Sequence, residues 1–192
     1  MTRFVGMSPY HHGDLRRAVL DAAIAAITEH GPAGVSLRDL ARRAGVSHAG
    51  PVHHFGDKAG VLTALAAEGF GLLADALAAA EERTRDFVEV GVTYVRFAIK
   101  HRAHFEVMFR PELHREDDVA LVAARDRAGD LLTSGASSVS DDAMAGVAAW
   151  SLMHGFANLW LTGALRAEHL EDPDTAARAI ARILFPGPSA QT

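Results

Sequence analysis

Histidine is the residue type in this chain most able to do chemistry. There are eleven, and His11-His12 and His53-His54 stand as adjacent pairs. Neighbouring side chains on a helix point about 100° apart, so neither pair can close on one metal ion. His101 and His104 lie three apart, and with His154 they form the one set that a metal or an acid–base reaction could use. Glu112, Glu116, Asp117 and Asp118 read as a solvated loop run rather than an acid/base pair. No nucleophile elbow, glycine-rich phosphate loop or metal-ligand motif appears. Zero cysteines exclude disulfides, thiolate zinc and a cysteine nucleophile. The expectation is a chain without a cofactor that is not an enzyme. The alternative is a helical enzyme or metal-binding protein built on His101, His104 and His154.

A second chemistry is recognition of a small molecule. His154 and Asn158 lie at i, i+4 on an otherwise apolar segment, where polar groups without partners are costly. Phe97, Phe105, Met108 and Trp150 are of the types that wall a cavity, and His101 stands among them. A third chemistry is contact with a polyanion. The net charge of −5 hides a split: residues 1–60 carry +2 and six of the histidines, and the remainder carries −7. A mildly basic head on an acidic body is a better guide to partners than the mean.

Helices must position all of these residues. The chain is 49% apolar and 22% charged, the balance of a globular protein, and no run alternates as a strand would. The fold class is all-α. Leu20, Ile24 and Ile27 share one face of a first helix over 14–29, stopped by His30-Gly31-Pro32. Ser36 caps a short second helix, Gly45 closes it, and Ser47 caps a third of about seven residues ending near Phe55-Gly56. Asp57 caps a long fourth helix to about 82. Further helices are expected over 86–101, 102–109, 116–133, 141–166 and 173–184. No uncharged apolar stretch approaches the roughly 18 residues of a membrane span, and no secretory leader is visible. The cytoplasm is the expected compartment.

The two short helices over 37–55 have helix-turn-helix spacing: a small Ala41 at the crossing, Gly45 for a positive φ, and Val46 plugging the junction. Ser36 to Ser47, with His53-His54-Phe55 and Lys58, resembles the DNA-binding head of the TetR family of transcriptional regulators. That likeness covers roughly residues 12–62. Trp150-Ser-Leu-Met-His154-Gly155 and His104 to Arg110 resemble one subgroup's C-terminal domain, with its Trp…His-Gly signature.

The resemblance implies a flexible tail over 1–9, a DNA-binding head over 10–57, a connecting helix over 58–85, a ligand-binding and dimerisation body over 86–185, and a tail over 186–192. It implies that the third helix enters the major groove, with His48, Ala49 and Gly50 on base edges and His53 and Lys58 on phosphates. Ser36, Arg38, Ser47 and His54 complete the DNA-facing set. Val52 stands where family members usually carry tyrosine, and Pro51 removes an early backbone donor. The resemblance also implies a homodimer through the last two helices, 141–166 and 173–184, with Val147, Ser151, Gly155, Thr162, Ala176, Ile180 and Ile183 in the contact. The reading is a dimeric repressor, released from a palindromic double-stranded DNA operator by a small-molecule effector.

Overall fold

The structure, a computed structural model, describes residues 12–137, 140–165 and 172–185. The expected tails fall outside these residues. The described residues contain nine α-helices, two short 3-10 turns and no strand.

Three helices make the head. α1 (His12–His30) buries Val19, Leu20, Ala23, Ala26 and Ile27 along one face. α2 (Leu37–Arg43) begins where the Ser36 hydroxyl accepts from the Asp39 N–H at 3.3 Å, and Gly45 closes it at φ 67°. The Val46 N–H donates to the Ala41 carbonyl at 3.0 Å, and Ala41 is fully buried, so α3 (Ala49–Phe55) can cross α2 closely. Ser47 does not cap α3 as its residue type suggested. The chain enters that helix through His48, already in helical conformation, and no side chain caps it.

Asp57 starts α4 (Lys58–Thr84) by accepting the Gly60 N–H at 2.8 Å. This 27-residue helix is the spine of the molecule. It corrects one expectation: by length and composition it is apolar enough to cross a membrane. Glu68 and Asp75 interrupt it, and Leu62, Leu65, Phe70, Leu73 and Leu77 are buried against neighbouring helices.

Around α4 lie α5 (Phe87–Lys100), α6 (Arg102–Met108) and α7 (Val119–Ser137). α8 (Ala145–Leu161) packs on α5 and α7, and α9 (Pro173–Leu184) packs on α5 and α8. α7 starts three residues later than expected, because Asp118 Oδ1 accepts from the Ala120 and Leu121 N–H groups. It runs past Ser134, whose hydroxyl donates back to the Leu131 carbonyl, as Ser137 does to Thr133. α8 starts later too, after a turn in which Asp142 Oδ1 accepts from the Met144 N–H. It stops at Leu161, and Gly163 follows at φ 68°.

Head and body meet at a three-part polar contact. Arg17 of α1 donates to Glu68 Oε2 at 2.7 Å, and His104 of α6, only 4% exposed, bonds Glu68 Oε1 through Nε2 at 3.0 Å. Burial pushes the Glu68 carboxyl up, but the His104 and Arg17 hydrogen bonds outweigh it and hold the group below its ordinary value.

Candidate functional site

The helix-turn-helix presents one exposed tip. Ser36, Arg38, Ser47, His48, Ala49 and His53 are exposed, and so is Val52. Ser36, Arg38 and His48 line one surface hollow there. The neighbouring arginines are occupied: Arg42 pairs with Asp39, and Arg43 with both Asp39 and Glu29. Arg38 has no such partner among the described residues, so its guanidinium is the one at this tip free to meet a phosphate. His54 is half-buried, its ring centroid 5.3 Å from that of His53. Lys58 is half-buried and donates to the Ala33 carbonyl at 3.0 Å.

In the body, residues of α4 to α8 line a cavity of about 670 Å³ that is open to solvent on one side. Its apolar wall includes Phe70, Leu73, Phe109 and Leu132. One polar chain runs along it. Trp150 Nε1–H donates to the Tyr94 hydroxyl at 3.1 Å, and that oxygen lies 2.8 Å from His154 Nδ1. Tyr94 is 1% exposed and already accepts from Trp150, so its own proton must go to His154. Nδ1 is then an acceptor, and the imidazole carries its proton on Nε2. Burial pushes the Tyr94 phenol far up and the His154 imidazole down, so both are neutral near pH 7. Phe105, Phe109 and Trp150 surround the His154 ring, with centroids 4.7–6.0 Å away.

This burial has a measurable consequence. A depressed folded-state pKa means that the unfolded chain takes up the proton first as pH falls below about 6.5. Stability must therefore decline on acidification from that point, in part through His154. His154→Phe is expected to lose less stability between pH 7 and 5 than the parent, measured by urea unfolding. An identical decline in both would show that His154 is not held neutral.

The segment 110–118 joins this cavity to the head. Pro111, His114 and Glu116 stand on its rim. Between them, Arg115 Nη2 donates to Asp57 Oδ1 at 2.9 Å, and the Arg115 N–H donates to Thr63 Oγ1 at 2.9 Å. Both partners lie at the start of α4, where the head ends. The His114 Nε2 contact to the Met108 carbonyl is long, 3.4 Å, and its Nδ1 is buried without a partner. Such an orphan acceptor costs on the order of 1–3 kcal/mol.

Comparison with known proteins decides the family. Residues 87–184 match the tetracyclin repressor-like C-terminal domain, and residues 19–65 match the bacterial regulatory proteins of the tetR family. The chain belongs to the TetR family. It is a DNA-binding transcriptional regulator. It is 32% identical over 150 residues to the HTH-type transcriptional regulator BetI of Rhizobium meliloti, covering 72% of this chain and 71% of that relative. A protein of unknown function from Rhodococcus sp. RHA1 superposes with a TM-score of 0.78 at 31% identity, over 93% of this chain and 97% of the other. The TetR-like regulator LfrR from Mycobacterium smegmatis, solved with proflavine, shares the fold at a TM-score of 0.67 and 20% identity, over 91% and 97% of the two chains.

Against this TetR-family frame, several expected residues are placed differently. Gly50 does not face base edges: it is buried, and a Cβ there would touch Leu15 of α1 at 3.4 Å. Gly50, Pro51 and Phe55 form the inner side of α3, leaving Ala49, Val52 and His53 outward. Of the expected cavity residues, Met108, Trp150 and His154 line it. Phe97 and Phe105 are buried behind it, and His101 stacks on Phe97 at 5.0 Å. Asn158 is exposed, because the inward side of α8 is Ala145, Ala149, Met153, Phe156 and Ala157. Tyr94 was missed altogether.

His101, His104 and His154 do not converge. His104 is committed to Glu68 and His154 to Tyr94, and no group of three such side chains among the described residues is arranged for a metal. On the expected dimer face, Val147, Ser151, Thr162 and Ile183 are exposed and Gly155 is half-buried. Ala176 and Ile180 instead pack partly into the chain's own core, since α9 turns that side towards α5.

Proposed function

We propose that this regulator is a homodimeric repressor whose two heads, over 10–57, grip a palindromic DNA operator, and whose body, over 86–185, releases it when a small molecule fills the 670 Å³ cavity. The helix over 58–85 connects the two. The observation that carries the reading is segment 110–118, which borders the cavity with His114 and holds the head's last residues with Arg115. An effector that moves His114 moves the clamp on Asp57. Exposed ion pairs of this kind are weak, being screened by solvent, so the clamp can switch. Coupling then requires only that the effector prefer one head spacing over the other.

At the tip, Arg38, Ser47, His48, Ala49 and His53 are the residues that meet DNA, with Ser36 beside them; Lys58 ties the start of α4 to the Ala33 carbonyl, and His54 sits half-buried behind His53. Selection of DNA by the purified protein should return inverted half-sites with centres about 34 Å apart, bound with a steep salt dependence. Unselective binding, or no binding at low salt, would sink the proposal.

Apolar and small residues along α8 and at its end, exposed at Val147, Ser151, Leu159 and Thr162 and half-buried at Gly155, support pairing with a second copy, with the exposed Asn158 beside them. The chain has no cysteine, so a single introduced thiol reports on that contact. Ser151→Cys, Gly155→Cys and Asn158→Cys should give an oxidised covalent dimer at one or more of the three positions. Ala123→Cys, on the exposed side of α7, should give none. Absence of crosslinking at all three would remove α8 from the subunit contact.

A further inference from the structure

α7 carries an inward stripe at i, i+4, i+7, i+11: Leu121, Arg125, Ala128 and Leu132. Leu121 and Ala128 are fully buried, Leu132 is half-buried, and Ala128 and Leu132 line the large cavity together with Arg125 and no other arginine or lysine. Arg125 is half-buried and makes no hydrogen bond or ion pair among the described residues. Its situation differs from that of the other arginines of the body. Arg96 pairs with Asp174, Arg102 with Glu106, Arg127 with Asp75 and the half-buried Arg178 with Glu89, while Arg110 and Arg182 are exposed to solvent. A guanidinium turned inward without a counter-ion lacks the partner that its planar fork fits best, a carboxylate.

The second polar group on the wall points the same way. Because Tyr94 donates to Nδ1, His154 has only its Nε2–H to offer, and that is again a donor. Both groups call for an acceptor. The one acid on the lining, Glu116, is exposed at the rim, where water and salt screen it. We propose that the cavity takes an organic acid, with an apolar body against Phe70, Leu73, Phe109 and Trp150 and its carboxylate seated on Arg125. His154 Nε2–H supplies a further hydrogen bond to an acceptor on the same molecule. This rests on the effector reading above and names the chemistry of the effector.

The test uses the full chain in a Trp160→Phe background, so that Trp150, on the cavity wall, is the remaining indole. Trp150 fluorescence is titrated with 2-naphthoate and with decanoate, each beside its primary amide of equal size. In the parent at least one acid should bind about tenfold or more tightly than its amide, the strength of a charge-assisted pair over a neutral one. Arg125→Met keeps the apolar stem and breaks no internal bond, so it should fold as the parent does. It should erase the preference for the acid while leaving amide affinity unchanged, and Arg125→Lys should retain part of it. Amides binding as well as acids, or a preference that survives Arg125→Met, would overturn the organic-acid assignment and leave the cavity reading standing. A silent Trp150 with all four compounds would overturn both.

Discussion

Ala49→Glu is expected to lower operator affinity on the order of 100-fold or more, about 2.7 kcal/mol, without changing the fold. Ala49 is the first residue of α3, and it is exposed. A longer side chain there displaces nothing inside the head. In the complex the new carboxylate would face a duplex that carries one phosphate charge per ~1.7 Å of axis. The head has only Arg38 as an unpaired arginine at this tip to offset it, since Arg42 and Arg43 are held by Asp39 and Glu29. The same charge placed by Ala123→Glu, on the exposed side of α7, should change affinity less than about twofold, because it lies outside the contact and is screened within about 10 Å. Electrophoretic titration of both variants on one operator checks this. Equal, small losses would show that the start of α3 does not approach DNA.

The second large effect concerns the joint between head and body. A Cβ built on Gly60 would lie 1.9 Å from the Phe55 carbonyl oxygen and 2.9 Å from its carbon. Those atoms are backbone and cannot rotate away. Phe55 ends α3 and Gly60 sits in the first turn of α4, so even alanine must drive the two helices apart. Overpacking of this kind costs about 3 kcal/mol or more, and here it also displaces the recognition helix. Gly60→Ala should therefore lower the unfolding midpoint in urea and lose operator binding together. Gly71→Ala is the control in the same helix, since nothing lies within 4 Å of its added methyl. It should stabilise the chain by about 0.5–1 kcal/mol through helix propensity. A harmless Gly60→Ala would mean that α3 and α4 do not approach as described.

Gly60 shows what a sequence conceals. Its role depends on a carbonyl five residues away across a turn, and no local pattern marks a close backbone approach. The helix-turn-helix was legible because its signals are local: a serine cap at Ser36, a positive-φ glycine at Gly45, and an apolar period between them. α3 was harder to orient. Its seven residues include too few apolar side chains to set a face, and the inward pair proved to be Pro51 and Phe55.

In the body, the i, i+4 spacing of His154 and Asn158 does not mark the polar network that His154 makes. Its neighbour in the network is Trp150, one turn earlier, and not Asn158, one turn later. The bridge between them is Tyr94, a lone phenol in an apolar helix 60 residues away in sequence. A hydroxyl in such a run needs a partner, which is the signal that could have found it. Arg125 was equally hidden. A charge on an alanine-rich helix reads as solvated, and only the positions of Leu121 and Ala128 reveal that it turns inward.

Placing His114 on the cavity rim and Arg115 on the head in adjacent positions also separates two design problems. Under the proposed function, the molecule that is sensed would be chosen by side chains on α4, α7 and α8, whereas the response would leave through the 114–115 step. Residues such as Phe70, Leu132 and Thr133 could be exchanged to retune the sensor towards other compounds while the output stage stays as it is. In a synthetic circuit, this chain would serve as an interchangeable input module, with 114–115 as its fixed connector.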